Sequence, residues 1–216
     1  MSKEIIGLAK FGEKKYMEEL LKGTLFLNTV NSFKKIENDY RGDVNEGLSD
    51  LIQPEYAALQ FQLPPSLGGD FIHLDKDHGL AGAIKIHDID YTNTNIYSLY
   101  MIYPDESFSV VDKVLQFGES MVFIYNPKEF LERVTNKLKE LSLSFKCGPV
   151  HYLDEKSYQG QMSIFDKFSK YNYQNEYRIH VINKEDAPLF LNIGNISDIA
   201  KILPSDIMKY ISIKNY

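Results

Sequence analysis

The run at residues 173–181, YQNEYRIHV, constrains this chain more than any other. From residue 176 onward, apolar and ionisable side chains alternate with a period of two. This puts Tyr177, Ile179 and Val181 on one face of a strand and Glu176, Arg178 and His180 on the other. The first face suits a core. The second carries three titratable groups, each needing water or a partner, since an unpaired buried charge is too costly to keep. The chain must therefore build a sheet whose polar strand face is either a site or an ion-pair network.

The remaining pattern mixes helices and strands without regular βαβ spacing. Residues 13–22 place Tyr16, Met17, Leu20 and Leu21 on one helical stripe, and Gly23 supplies a left-handed stop before the strand TLFLNTV. Asn31 and Ser32 can cap a short helix containing Phe33 and Ile36. The polar loop NDYRGDVNEGLSD follows and reads as solvated. Residues 56–63 alternate as a half-buried strand, and residues 83–89 and 95–103 read as a hairpin. Asn126 as N-cap with Pro127 at the first helical position opens the helix PKEFLERVTNKLKEL, its inner face formed by Phe130, Leu131, Val134, Leu138 and Leu141. Residues 161–170 resemble a short amphipathic helix through Met162, Phe165 and Phe168, and short helical pieces are expected at 197–200 and 205–210. With 216 residues and 44% hydrophobic composition, the expectation is one α+β domain over 1–216, a mixed, mainly antiparallel sheet with flanking helices.

Composition narrows the function classes. The single Cys147 excludes an intramolecular disulfide and a multi-Cys zinc site, and no disulfide-linked partner is expected. No run approaches the roughly 20 apolar residues that span a bilayer, and the amino terminus lacks the apolar run of a signal peptide, so a cytoplasmic location without membrane partners is expected. The net charge of −6 argues against a basic stripe tracking duplex phosphates. Only three of the 24 basic residues are Arg, namely Arg41, Arg133 and Arg178, which makes each a candidate for planar recognition of carboxylate or phosphate.

Neither GxxxxGK[ST] nor a strand-to-helix GxGxxG is present, so the common nucleotide-phosphate loops are absent. Asp70, His73, Asp75, Asp77, His78, His87, Asp88 and Asp90 have side chains suited to a divalent cation, but their spacing matches neither an EF-hand loop nor an HExxH helix, and no metal ligand is assigned. Cys147, in a strand-like setting beside Phe145, reads as a structural thiol.

Gln174, Asn175 and Glu176 form a Q-x-E triplet at the entrance of the strand, with one side chain at the strand mouth and the other on the preceding loop. A carboxylate and an amide so placed suit transfer from an oxocarbenium-like centre. The acid holds a ribose hydroxyl and stabilises developing positive charge, while the amide orients an acceptor. The triplet resembles the Q/E-x-E element of ADP-ribosyltransferases. Over more of the chain the sequence resembles the bacterial uncharacterised DUF2971-like family, through LLKGTLFLNTVNSF, RGDVNEG, FGESMVFIYNPKEFLERV, GPVHYLD, KYNYQNEYRIHV and LFLNIGNISDIAKIL.

The transferase resemblance implies an ADP-ribosyltransferase-like fold, NAD as cofactor, Glu176 as catalytic acid and Gln174 on the acceptor side. It implies a cation for the cofactor phosphates, with Arg41 standing in for the early-strand Arg and Arg178 within reach. It also implies a hydroxyl on a central strand, for which Ser98 flanked by Tyr97 is the counterpart. The acceptor is then a protein or nucleic acid. Two alternatives remain: a non-enzymatic interaction module of phage-defence or accessory type, in which Glu176 and Arg178 are a surface ion pair, and a metal-dependent nuclease built on residues 70–90.

Overall fold

The computed structural model describes residues 4–35, 43–88, 91, 94–104, 112–183, 185 and 187–210. Its strands are β1 (Gly7–Gly12), β2 (Thr24–Thr29), β3 (Leu48–Ile52), β4 (Leu59–Gln62), β5 (Phe71–Leu74), β6 (Ile84–His87), β7 (Thr94–Ile102), β8 (Ser120–Ile124), β9 (Ser144–Pro149), β10 (His151–Leu153), β11 (Gly160–Gln161), β12 (Asp166–Phe168), β13 (Glu176–Ile182), β14 (Leu189–Asn192) and β15 (Ala200–Pro204). The helices are α1 (Lys14–Leu21), α2 (Val30–Lys34), α3 (Asp112–Leu115) and α4 (Pro127–Glu140). The fold is α+β with mainly antiparallel pairing.

β7 organises the main sheet because its sequence, TNIYSLYMI, offers something to bury on both faces, and every residue of it except Ser98 is buried. Along one edge it pairs with β13 from Thr94 to Tyr100, and β13 pairs in turn with β9. The other edge is shared. β2 takes Asn95 and Ile96 and leads on to β14, whereas β1 takes Tyr100 to Ile102 and leads on to β8 and β15. The two arms diverge between these contacts, and Lys10 Nζ reaches across to donate to the Ser98 carbonyl at 2.8 Å while lying 4.4 Å from the Tyr97 ring centroid.

The larger core lies on the side that carries α1 and α4. Leu8, Met17, Leu25, Tyr97, Leu99, Phe130, Val134, Leu138, Ile179 and Val181 belong to it. The α4 start is as expected, with the Asn126 side chain accepting from the Glu129 N–H at 3.1 Å and Pro127 following. Leu141 is 44% exposed because it already lies past the last turn.

Several expectations change. Residues 197–200 turn and lead into β15 instead of forming a helix. α2 is capped by Thr29, whose hydroxyl accepts from Ser32 N–H, not by Asn31 or Ser32. β6 pairs with β3 and not with β7, so residues 83–103 form no hairpin. Residues 161–170 are not a helix: Ser163 turns the chain by donating its N–H and hydroxyl to the Asp166 carboxylate at 2.7 and 2.6 Å, an alternative to helical bonding that short polar side chains offer. The turn delivers β12, parallel to β10, and a 3-10 segment, Ser169–Gln174. Finally, β4 is not half-buried. It forms a hairpin with β5 in which Phe61 and Ile72, directly opposite one another, are 51% and 42% exposed. Alternation records the pleat, and here no second layer covers it.

Gly23 ends α1 with φ +101°, and a Cβ built there would lie 1.9 Å from the Gly194 carbonyl oxygen. Gly69 also has positive φ, at +70°, but with nothing within 4 Å. In urea titrations Gly69→Ala should cost about 1 kcal/mol for its backbone alone, and Gly23→Ala at least about 2 kcal/mol more, because a backbone carbonyl cannot swing aside as a side chain can.

Candidate functional site

The polar face of β13 is closed, not open to solvent. Arg178 is 1% exposed, Glu176 3% and His180 4%. In register, Arg178 lies opposite Ser98 of β7, and Glu176 opposite Tyr100. The Ser98 hydroxyl donates to Glu176 Oε1 at 2.5 Å, and Arg178 Nε donates to the same oxygen at 2.8 Å. Lys167, brought in by β12, donates to Glu176 Oε2 at 2.7 Å. The Glu176 backbone N–H is also taken, by the Tyr152 hydroxyl at 3.0 Å.

The rest of the Arg178 guanidinium faces a second acid. Nη1 and Nη2 donate to Glu46 Oε1 and Oε2 at 2.7 and 3.2 Å, a fork-on-fork pair, and Nη1 also reaches the Ile164 carbonyl. Lys167 Nζ stands 3.7 Å from Glu46 Oε2, so two cations and two carboxylates, none more than 6% exposed, form a neutral cluster. Burial alone would push the Glu176 carboxyl up. The Arg178 and Lys167 charges outweigh it and hold the group ionised well below the usual carboxylate range. Burial likewise opposes the Arg178 charge, and Glu176 and Glu46 more than compensate.

The Q-x-E triplet has a local explanation. Asn175 adopts the left-handed conformation (φ 38°, ψ 54°) that Asn tolerates, ends the Ser169–Gln174 turn and anchors to Met101 through its side-chain N–H at 2.7 Å and its own carbonyl at 2.8 Å. The reversal leaves Gln174 and Glu176 aimed at one ammonium: Lys167 donates to Gln174 Oε1 at 2.8 Å as well as to Glu176.

Among the candidates read from sequence, Glu176, Gln174, Arg178 and Ser98 therefore meet in one hydrogen-bonded cluster. Tyr97 does not join them. One step along β7 from Ser98, it points to the opposite face and is 3% exposed in the main core. Arg41 lies outside the described residues. Glu46 and Lys167 are the members of the cluster that no sequence pattern marks. The string RGDVNEG held the first, but its polar, Gly-containing composition resembles a solvated loop, whereas Asp43, Asn45 and Glu46 are all buried.

No group of three or more His, Cys, Asp or Glu residues suited to a metal ion occurs among the described residues. Asp75 is occupied by a turn, accepting the N–H groups of Asp77 and His78 and pairing with the His78 ring at 2.7 Å. Burial pushes the Cys147 thiol up to about 11, which leaves it a protonated structural group. No described helix is long and apolar enough to cross a membrane. Neither a family model, nor a curated protein, nor a solved structure matches the chain.

His180 completes the face. Its ring sits edge-on to Tyr91 and Phe165, with centroids 6.3 and 6.4 Å away, and neither nitrogen has a hydrogen-bond partner. Burial, reinforced by the Arg178 and Lys146 charges, lowers its pKa to about 4. The folded value lies below the unfolded value of 6.5, so the unfolded chain binds the proton more tightly. Stability is then complete above about pH 6.5 and falls toward pH 4, by up to about 3 kcal/mol from this residue. Denaturant midpoints between pH 7 and pH 4.5 should show that slope, and His180→Phe should flatten it.

Proposed function

We propose that this chain is an NAD-dependent ADP-ribosyltransferase-like enzyme, with Glu176 as the acid that grips the nicotinamide-side ribose and Gln174 on the acceptor side. The observation that carries the reading is the 2.5 Å bond between the Ser98 hydroxyl and Glu176 Oε1, a central-strand hydroxyl meeting a strand-mouth carboxylate. Ser98 is also the one residue of β7 that is not fully buried.

The chemistry asks for a carboxylate that stays ionised while positive charge develops on the ribose, and the two cations beside Glu176 hold it so. A bound NAD would supply the glycosidic bond to be broken and the diphosphate to be anchored. Arg178 and Lys167 have the charge for that diphosphate, and Arg41 is the further candidate. Glu176 must become accessible for turnover, which requires the residues over it, Ile164 to Gln174 and Glu46, to move aside. Protein or nucleic acid remains the proposed acceptor class.

One observation favours a second reading, a non-enzymatic interaction module. Both Glu176 oxygens are already satisfied by Ser98, Arg178 and Lys167 in a buried cluster, as in a network that only fixes the fold. Incubation of the full chain with labelled NAD and cell lysate separates the two. The wild type is expected to transfer label, and Glu176→Gln, confirmed folded by near-UV circular dichroism, to lose about 100-fold or more of that rate. Equal labelling by wild type and variant would rule out Glu176 as the acid. No labelling by either would favour the interaction module.

A further inference from the structure

We infer that Arg178 and Lys167 form a seat for a phosphoryl or pyrophosphoryl group, and that the Glu46 carboxylate is an internal anion occupying it. The inference rests on the transferase reading only for the natural ligand, a nucleotide diphosphate. The seat itself follows from the geometry. Both Nη atoms of Arg178 address the two oxygens of Glu46, at 2.7 and 3.2 Å, the planar fork by which a guanidinium also takes phosphate. Lys167 lies 3.7 Å from the nearer of those oxygens. Two cations thus face Glu46, and each also bonds Glu176, so Glu46 is one of the two anions that neutralise the pair.

Glu46 is attached so that it can leave. It comes from a turn 132 residues away in sequence from Arg178, and the turn holds itself together: Glu46 N–H donates to the Asp43 carbonyl at 3.0 Å, Asn45 N–H to Asp43 Oδ1 at 2.8 Å, and Leu48 N–H to the Asn45 carbonyl at 3.1 Å. These bonds do not involve the Glu46 carboxylate, so rotation of that side chain breaks its contacts with Arg178 and Lys167 and leaves the turn intact. Charge also favours exchange over simple loss. With Glu46 gone, Arg178 and Lys167 retain only Glu176, and a buried excess positive charge recruits an anion.

A second, independent feature marks the same face. His180, two positions along β13 and therefore about 7 Å away, is 4% exposed with both ring nitrogens unpartnered. Its ring packs edge-on against Tyr91 and Phe165, so the face keeps a buried polar group without a partner of its own.

The test compares thermal midpoints of the full-length wild type and Glu46→Gln in inorganic pyrophosphate against sodium chloride of equal ionic strength. Pyrophosphate is expected to raise the variant's midpoint by about 3 °C or more and the wild type's by less than about 1 °C, because in the variant a neutral amide, and no longer a carboxylate, competes with the anion for the fork. Adding Lys167→Met to Glu46→Gln should abolish the rise. Equal rises in wild type and variant, or a rise that chloride reproduces, would overturn the proposal. Should Glu46→Gln fail to fold, Glu46→Asp keeps the charge one methylene short of the fork and should show an intermediate rise; no rise there overturns the proposal equally. A pyrophosphate response without any transfer of label from NAD removes the transferase reading and keeps the seat, and transfer of label without a response does the reverse.

Discussion

A guanidinium with 1% exposure is the constraint to which the rest of this structure answers. Water cannot solvate Arg178, so protein must, and its donors are met by Glu176 on its own strand, Glu46 from a turn near the amino-terminal third and the carbonyl of Ile164. Breaking such a cluster by removing one member costs about 3–5 kcal/mol, whereas replacing it wholesale with apolar side chains is often neutral. Its structural value is therefore specificity of assembly. Satisfying the charge joins segments distant in sequence, and it ties the turn before β3, β12 and the Ser169–Gln174 turn to β13.

The sheet beneath provides the platform. β7 is long enough to serve β13 along one edge and two separate strands along the other, and the divergence of β1 from β2 is bridged by a lysine in place of a strand. The faces of β13 then divide the labour: Ile179 and Val181 join the α1 and α4 side, and Glu176, Arg178 and His180 meet the covering segments. Pairings such as β1 with β7, and β7 with β13, connect residues about 80 or more apart, so assembly of this sheet depends on contacts that are costly in loop closure.

Local signals were legible in the sequence where local physics decides. The Asn126–Pro127 start and the Phe130, Val134, Leu138 stripe of α4 could be read directly, as could the two faces of β13. Two parts of the site could not. Met162, Phe165 and Phe168 recur every three residues and so mimic a helix, yet Met162 and Phe168 pack near β3 and Phe165 beside His180, because Ser163 and Asp166 turn the chain between them. The turn at residues 43–47 reads as solvated because nothing nearby rewards its burial. The reward is Arg178, and no local periodicity reports a partner 132 residues away.

The β4–β5 hairpin has the opposite character. Phe61, Ile72 and Phe71 are all more than 40% exposed, and its strands carry neither Lys, Arg, Asp nor Glu. Because so little surface is buried there, unzipping it forfeits little, and the hairpin can fray locally while the main sheet stays paired. These two strands, with Leu59, Phe61, Phe71, Ile72 and Leu74 as their apolar residues and no further strand paired to them among the described residues, are the part of the fold most apt to find another strand when the protein is concentrated.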